Sequence, residues 1–281
     1  MRIAVIGARG QLGAAMVYEA GKAHEVIAFD RASLDIENDS AVMEAMRRTR
    51  PDAIVNCAGY NAVDAAETHP LDALRTNAFA VRSLARAARE TGAALVQYST
   101  DFVFDGTASA PMDEDMPPNP RSAYAASKLL GEWFAADAPV AYVLRVESLF
   151  GVGPGGPDKG SLTGIVKGLR AGQRVKVFGD RTVSPTYIED CARATVALLE
   201  RRCVAGVYHC VNSGSATWYE VGLEAAGLLG ITPQFEVVSV ADVKLPAHRP
   251  QYCALSNKKL SVAIGYELPT WQNALGRYVN C

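Results

Sequence analysis

The sequence of 281 residues lacks the features that mark several classes of protein. It contains no block of like charges, and its formal net charge of −2 is close to neutral. Neither a nucleic acid nor an anionic membrane is therefore indicated as a partner. The first apolar run, residues 2–6, is too short for the apolar region of a signal peptide and far too short to cross a bilayer.

Cysteine and histidine are present but lack the spacing of disulfide or metal motifs. No two of the six cysteines form a C-x-x-C pair, and the four histidines are far apart. In a chain of this length, scattered cysteines are typical of reduced, mostly buried thiols, so we expect a cytoplasmic protein without a zinc site. The cysteines are Cys57, Cys191, Cys203, Cys210, Cys253 and Cys281.

Short apolar runs alternate with helical patterns, such as residues 71–90, throughout the first half. Apolar residues make up 49% of the chain, which is enough for a large core. Nearly continuous Val and Ile runs are typical of strands buried on both faces, and their alternation with helices predicts an α/β fold with a doubly wound parallel sheet. The runs are residues 2–6, 25–29, 53–56, 94–99 and 141–145.

Three glycines follow the first predicted strand and precede a helical stretch. Gly7, Gly10 and Gly13 have the spacing G-x-x-G-x-x-G, which differs from the G-x-G-x-x-G of many dehydrogenases. Glycines at such a junction permit a tight turn and a close approach of the backbone to a pyrophosphate at the helix N-terminus. The position of the motif therefore predicts a dinucleotide site in a Rossmann-type domain, with a plain turn as the alternative.

The end of the second predicted strand gives conflicting indications about the cofactor. Asp30 favours NAD because its carboxylate can accept hydrogen bonds from the adenosine ribose. Arg31 favours NADP because a guanidinium can pair with the 2′-phosphate. A solvated turn is the alternative for both residues, and these two residues leave the choice between NADPH and NADH open.

The Gly/Pro-rich stretch at residues 151–160 predicts a boundary in the chain. We predict a Rossmann domain over residues 1–150, to which elements around 186–212 return, and a smaller substrate-binding lobe over residues 151–281. Thr186 and Glu189 have the spacing of a capping box for a helix beginning near Tyr187. Other expected elements are strands at 175–178 and 207–210, a helix near 218–229 and a helix at the C-terminus.

A tyrosine and a lysine one helical turn apart come after a strand that is followed by a threonine. Tyr124 and Lys128 share a helix face, and Thr100 follows directly after the fourth predicted strand. This conjunction resembles the extended short-chain dehydrogenase/reductase superfamily, in which these residue types reduce a carbonyl. Tyr124 would give the proton, Thr100 would donate to the ketone oxygen, and Lys128 would lower the tyrosine pKa from its usual ~10.

The resemblance narrows to the dTDP-4-dehydrorhamnose reductase family and covers essentially the whole chain. It implies reduction of the 4-keto group of a nucleotide-linked 6-deoxyhexose, dTDP-4-dehydro-L-rhamnose above others, with NADPH. It also implies a homodimer and a Mg²⁺ requirement, although no motif here places a metal ligand. The motifs are GARGQLG (7–13), LDI (34–36), VNCAGYNAVDAAE (55–67), Asn77, STDFVFDG (99–106), YAASKLLGE (124–132), DRTVSPT (180–186), TW (217–218) and RP (249–250).

The same resemblance implies roles for individual residues. The catalytic residues would be Thr100, Tyr124 and Lys128. The residues that contact the cofactor would be Tyr124, Lys128, Gly7, Gly10, Gln11, Leu12, Gly13, Asp30, Arg31, Asp35, Ile36, Cys57, Ala58 and Tyr60. The substrate side would include Asn61, Val63, Asp101, Phe102 and Ser148, with simple packing as the alternative for Val63 and Phe102.

Two neighbouring residues depart from the family pattern. Ser148 stands where the family usually has an aromatic residue that contacts the sugar, which leaves the identity of the hexose open. An anionic Glu147 near a diphosphate would be unfavourable unless it points away or meets a cation. Lys159 is either a diphosphate contact or a solvated side chain. The alternatives are a reductase or epimerase of another nucleotide sugar, and a non-catalytic NADP-binding subunit, since a regulatory subunit of methionine adenosyltransferase resembles this family.

Overall fold

The computed structural model describes residues 1–280 of the chain, so Cys281 lies outside the described residues. The strands are β1 (Arg2–Ile6), β2 (Glu25–Phe29), β3 (Ala53–Asn56), β4 (Ala94–Thr100), β5 (Ala141–Val146), β6 (Leu149–Phe150), β7 (Val175–Phe178), β8 (Thr182–Val183), β9 (Thr186–Tyr187), β10 (Gly206–His209), β11 (Ala216–Thr217) and β12 (Phe235–Val238). The helices are α1 (Gln11–Gly21), α2 (Asp39–Thr49), α3 (Val63–Thr68), α4 (Pro70–Leu74), α5 (Ala80–Thr91), α6 (Ala123–Ala135), α7 (Ser161–Arg170), α8 (Ile188–Glu200), α9 (Trp218–Leu229), α10 (Lys258–Ile264) and α11 (Trp271–Val279).

The main sheet has six parallel strands in the order β2-β1-β3-β4-β5-β10. The strand order reverses between β1 and β3, and open parallel sheets bind ligands beyond the carboxyl ends of their strands at such a point. The predicted doubly wound parallel sheet is therefore confirmed. One expectation was wrong in detail, since β2 lies at an edge and only Phe29 in it is buried.

Helices cover both faces of this sheet and position the strand ends. One buried apolar cluster joins α1, α8 and α10 to the sheet, and another joins α2 and α5 to its opposite face. A third cluster joins α7, α9 and α11 to the small sheet of β7 and β12. The boundary near residue 150 stays a prediction. From the later part of the chain, β10 is a strand of the main sheet, and α8 packs against one face of that sheet.

The helix predicted over residues 71–90 is interrupted. A π-helical turn at Arg75–Phe79 separates α4 from α5. Asn77 in this turn accepts a hydrogen bond from the Tyr60 backbone nitrogen at 2.8 Å and donates to Ser127 Oγ at 3.0 Å. The π turn thereby ties the loop after β3 to α6, and such turns are frequent at functional sites.

The predicted capping box at the start of α8 was wrong. Thr186 lies in β9, and its hydroxyl donates to the Ser184 carbonyl oxygen at 3.0 Å instead of capping the helix. A capping box is present at α9, where Thr217 and Glu220 bond each other's backbone nitrogens. Within residues 1–280, no helix combines the length and apolar character needed to cross a bilayer.

Candidate active site

Gly7 and Gly10 lie in the turn between β1 and α1, and Gly13 lies in the first turn of α1. Gly7 has a φ of 74°, and a Cβ at Gly13 would lie 2.1 Å from the Gly7 carbonyl oxygen. A Cβ at Gly7 would lie 2.8 Å from the backbone nitrogen of Ala58, which follows β3. The N-terminus of α1 has no side-chain cap, so its first N–H groups are available to an anion. The turn therefore fits a pyrophosphate that approaches the backbone closely.

The side chain of Gln11 makes contacts that the resemblance did not imply. Its side-chain amide is buried and donates to the carbonyl oxygens of Gly151 at 2.9 Å and Lys159 at 2.8 Å. A Cβ at Gly153 would lie 2.6 Å from the Ala15 backbone nitrogen, so this loop packs directly on α1. Gln11 thus lines the cavity, and its two side-chain N–H groups hold the loop after β6 against the glycine turn.

A second cavity of about 440 Å³ lies beyond the ends of β1 and β2. Asp30 Oδ1 accepts hydrogen bonds from the backbone nitrogens of Ala32 at 3.1 Å and Ser33 at 2.9 Å, and Oδ2 pairs with Arg9 at 2.8 Å. The hydrogen bonds from Ser33 lower the pKa of Asp30, which keeps it ionised. This cavity brings together the residues expected around the adenosine, Asp30, Arg31, Asp35 and Ile36, and it also contains Ala58 and Tyr60, which the resemblance places on the nicotinamide side.

The three expected catalytic residues meet at one cavity of about 720 Å³. Thr100 ends β4, while Tyr124 and Lys128 project from the first turns of α6, whose N-cap is Ser122. Gly13 lines neither cavity, because it packs behind the turn against Gly7. The large cavity is also lined by most of the other predicted residues, namely Gly7, Gly10, Gln11, Leu12, Asp30, Arg31, Cys57, Ala58, Asn61, Val63, Asp101, Phe102 and Ser148.

The electrostatics of Tyr124 differ from the expectation. Burial raises the pKa of its phenol, and the hydrogen bond with Thr100 opposes that rise only in part. Lys128 is not among the causes that set this pKa, so the lowering by Lys128 stays a prediction. Burial also lowers the pKa of Lys128 to about 8, and its ammonium donates to the Tyr98 carbonyl oxygen at 2.6 Å. In this arrangement Tyr124 is a neutral phenol at neutral pH.

Two arginines that the motifs contained, but to which no role was given, line the same cavity. The guanidinium groups of Arg181 and Arg249 lie 5.5 and 5.8 Å from the centre of the Phe102 ring. Arg249 also pairs with Asp64 at 2.9 Å. Two cations beside a cavity fit an anionic ligand such as a diphosphate. The only sequence signal for them was their membership of the DRTVSPT and RP motifs.

Glu147 and Ser148 lie at the wall of the cavity after β5. Glu147 is 2% exposed, and its Oε2 accepts a hydrogen bond from the Ser184 backbone nitrogen at 2.6 Å. Burial, followed by the charge of Asp101, raises its pKa well above the usual range, against the opposing effect of Arg181. Glu147 therefore avoids the expected repulsion because its carboxyl is buried, accepts from the Ser184 N–H and lies near the Arg181 guanidinium. Ser148 has a left-handed φ of 44°, which is unusual for a residue other than glycine.

One group of possible metal-binding atoms is found among residues 1–280. Single atoms of Asp101, Glu147 and Cys253 lie within 4.8 Å of one another. However, the Arg181 guanidinium lies beside them, with Nη2 at 3.7 Å from Cys253 Sγ. Because a buried cation already occupies this neighbourhood, we assign no metal ligand to these residues.

The whole chain, residues 1–281, matches the family model described as the RmlD substrate binding domain. A probable dTDP-4,6-dihydroxy-2-methyloxan-3-one 4-ketoreductase from Streptomyces antibioticus is 36% identical, over 98% of this chain and 93% of the relative. The structure of a dTDP-4-dehydrorhamnose reductase from Clostridium acetobutylicum has a TM-score of 0.93 and 34% identity, covering 100% of this chain and 99% of the other. The reductase of that name from Bacillus anthracis, in complex with NADP, has a TM-score of 0.92 and 30% identity, covering 99% and 98%. The chain therefore belongs to the RmlD substrate binding domain family, which confirms the resemblance to dTDP-4-dehydrorhamnose reductases that its motifs predicted.

Proposed function

We propose that this protein uses NADPH to reduce the 4-keto group of a nucleotide-linked 6-deoxyhexose, with dTDP-4-dehydro-L-rhamnose as the first candidate. One observation carries the proposal: Thr100, Tyr124 and Lys128 meet at a single cavity that also contains the glycine turn. The names of the similar reductases support the reaction and the sugar. The NADP complex of the Bacillus anthracis protein supports the choice of cofactor.

The residues present fit a dinucleotide. The uncapped N-terminus of α1 would receive the pyrophosphate, and the cavity beyond β1 and β2 would receive the adenosine. Asp30 is occupied by Arg9 and its own turn, whereas Arg31 has an exposed side chain and lines both cavities. Arg31 is therefore the residue we assign to the 2′-phosphate. When bound, NADPH would supply the hydrogen and the electron pair that the carbonyl carbon gains.

The side chains of this protein would supply the proton and stabilise charge on the carbonyl oxygen. Tyr124 starts as a neutral phenol and would donate its proton to that oxygen. The hydroxyl of Thr100 would donate a hydrogen bond to the same oxygen as negative charge develops there. Lys128, anchored on the Tyr98 carbonyl oxygen, would stabilise the phenolate that remains.

The nucleotide sugar would lie between the catalytic residues and the two arginines. Arg181 and Arg249 would pair with the diphosphate, and Phe102 between them would fix their positions. An adjoining cavity of about 420 Å³, lined in part by Arg181 and Trp218, would accept the nucleoside. Asn61, whose Oδ1 lies 3.5 Å from the Tyr124 hydroxyl, would face the sugar.

A second candidate is a reductase for a different dTDP-linked 4-keto sugar. Two observations favour it: Ser148 replaces the expected aromatic residue at the cavity wall, and the Streptomyces antibioticus relative is named for a different sugar. The cavity wall at Ser148 is small and polar, so it would accept a sugar that an aromatic wall excludes. Both candidates share the catalytic residues and the cofactor.

The test is to supply purified protein with NADPH and each nucleotide 4-keto sugar separately. We expect loss of the NADPH absorbance together with formation of the dTDP-6-deoxyhexose, identified by mass and by chromatography against standards. Turnover of another sugar at a higher kcat/KM would favour the second candidate. Tight NADPH binding without turnover of any sugar would overturn the enzymatic proposal in favour of a regulatory subunit.

We also propose a cytoplasmic location, supported by the state of the buried cysteines. Cys191 and Cys210 have their sulfur atoms 3.5 Å apart without a bond between them, and both are buried. Adjacent free thiols fit a reducing compartment. The homodimer stays a prediction, and the described residues give no support for a Mg²⁺ requirement.

A further inference from the structure

Two buried carboxyl groups lie next to the catalytic threonine, with one oxygen of Asp101 and one of Glu147 within 4.8 Å of each other. Asp101 is 3% exposed, and its Oδ1 accepts the hydrogen bond of the Thr100 hydroxyl at 3.0 Å. Glu147 is 2% exposed, and its Oε2 accepts the Ser184 N–H at 2.6 Å. The other two oxygens, Asp101 Oδ2 and Glu147 Oε1, are buried without a hydrogen bond of normal length among the described residues, although the Cys253 thiol lies close enough to Asp101 to lower its pKa.

The charges around this pair do not balance if both carboxyls are ionised. Arg181 is the cation that acts on both of them, and it provides one positive charge for two negative charges. The remaining groups near the pair are neutral, namely the Cys253 thiol, the Tyr252 and Tyr124 phenols and the Thr100 hydroxyl. A second buried carboxylate without a cation is unfavourable. Protonation of one of the two carboxyls removes this uncompensated negative charge.

We propose that Asp101 and Glu147 hold one proton between them, and that this proton controls how firmly Asp101 holds the hydroxyl hydrogen of Thr100. The second part rests on the proposed function, because it concerns a hydroxyl that would donate to the substrate ketone. Glu147 acts here as a positioning residue through Asp101 and Thr100.

The chemistry involves only the transfer of one proton within the pair. When Glu147 carries it, Asp101 is ionised, and its Oδ1 binds the Thr100 hydrogen strongly. When the proton moves to Oδ2, the O–H bond of Glu147 is broken, and Oδ1 becomes a neutral carbonyl oxygen. A neutral acceptor holds a hydrogen bond less strongly than a carboxylate. Thr100 is then free to donate to the ketone.

The pH dependence follows from this exchange. Burial is the largest cause raising the pKa of both Asp101 and Glu147, so the pair keeps the shared proton to a higher pH than exposed carboxyls would. As the pH rises through the apparent pKa of the pair, the proton is lost and Asp101 becomes permanently ionised. The Thr100 hydrogen is then held on Asp101, and reduction slows.

The decisive measurement is the infrared spectrum of the protein between neutral and alkaline pH. We expect the carbonyl stretching band of a protonated carboxyl at neutral pH that disappears in alkali, and we expect Glu147→Gln to lack it. The glutamine can accept from Ser184 and donate to Asp101, but it cannot ionise. The control is Glu44→Gln, since the Glu44 side chain is 78% exposed, and its spectrum should match that of the unmodified protein.

Activity provides the second measurement. We expect Glu147→Gln to lower kcat about 5-fold, the effect of one ordinary hydrogen bond, and to remove one alkaline limb from the pH profile. An infrared spectrum without the band, or a band that persists in Glu147→Gln, would overturn the shared proton. An unchanged pH profile in that variant would overturn the link to Thr100. If Glu147→Gln does not fold, Asp101→Asn must abolish the same band.

Two further outcomes are distinguishable. A stoichiometric divalent metal in the purified protein, released by a chelator with a change in the infrared band, would show that the carboxyls hold a cation and would overturn the proposal. If the band behaves as expected but no nucleotide sugar is reduced, the proposed function fails. The shared proton then stands on the spectrum, and its link to catalysis is overturned with the function.

Discussion

The ammonium of Lys128 donates a hydrogen bond to the carbonyl oxygen of Tyr98 at 2.6 Å, at the end of a buried strand. Burial lowers the pKa of Lys128 to about 8, so the group loses its positive charge as the pH rises through that value. A neutral amine cannot stabilise the phenolate of Tyr124. We therefore predict that kcat/KM for reduction falls as the pH rises above about 8.

The check is a pH profile of the unmodified protein beside that of Lys128→Arg. An arginine stays charged over the accessible pH range. In Lys128→Arg, the alkaline fall in kcat/KM should therefore shift beyond that range, even if the absolute rate is lower. Glu147→Gln should leave the fall in kcat/KM caused by Lys128 in place. This variant therefore separates that fall from the one caused by the carboxyl pair. An identical limb in Lys128→Arg would mean that another group causes it.

Tyr124→Phe should lower kcat by about 10²–10⁴-fold, the usual contribution of a positioned proton donor. Affinity for NADPH, measured by fluorescence titration, should change little, because the ring of the phenylalanine still packs edge-on against Phe102. Tyr18→Phe is the matched control, since Tyr18 is 53% exposed on α1. Full activity of Tyr124→Phe would show that the proton comes from elsewhere.

Gly13→Ala should abolish NADPH binding and lower the stability of the fold. The new Cβ would lie 2.1 Å from the Gly7 carbonyl oxygen, so the glycine turn must move. Gly21→Ala is the control on the same helix, because its Cβ would meet no atom within 4 Å. Calorimetric titration with NADPH and thermal unfolding of both variants provide the measurement. Equal affinities in the two variants would contradict the assigned role of the turn.

The strands were predictable because each carries a strong local signal. Five apolar runs became the first five strands of the parallel sheet, and the glycine turn lies where the strand order reverses. The π turn at Arg75–Phe79 was not predictable, because its cause is a tertiary contact: Asn77 bonds Tyr60 and Ser127, which lie far from it in the sequence. The misplaced capping box has a similar cause, since pairing of β9 with β6 takes Thr186 out of the cap position.

The composition of the site was partly predictable, but its electrostatics were not. Motif order placed Thr100, Tyr124 and Lys128, and these residues do meet at one cavity. Burial of Tyr124 and the direction in which Glu147 points depend on the packing of distant segments, so no local pattern indicates them. Ser184, whose N–H donates to the Glu147 carboxyl, lies in the connection between β8 and β9.

Arg31→Ser should raise KM for NADPH about tenfold, as expected for the loss of one hydrogen bond to a charged group, and leave KM for NADH nearly unchanged. The reason is that Asp30 is already held by Arg9 at 2.8 Å, which leaves Arg31 to meet the 2′-phosphate. Steady-state kinetics with both cofactors is the measurement, and Arg48→Ser on the exposed face of α2 is the control. A parallel change with NADPH and NADH would contradict the assignment.

His209 makes the stability of this protein depend on pH in the acid range. Burial and the nearby charge of Arg145 lower its pKa to about 3, against 6.5 for an ordinary histidine. Below pH 6.5 the unfolded chain therefore binds a proton that the folded chain does not, and the free energy of unfolding falls as the pH falls toward 3. This group contributes at most ~1.4 kcal/mol per pH unit. His209→Asn retains an N–H for the Met112 carbonyl oxygen, which lies 3.1 Å from the ring, and should flatten the dependence. Urea unfolding at several pH values is the measurement, and His69→Asn, at an exposed position, is the control. Equal slopes of the free energy of unfolding against pH in the two variants would show that His209 is not the group responsible.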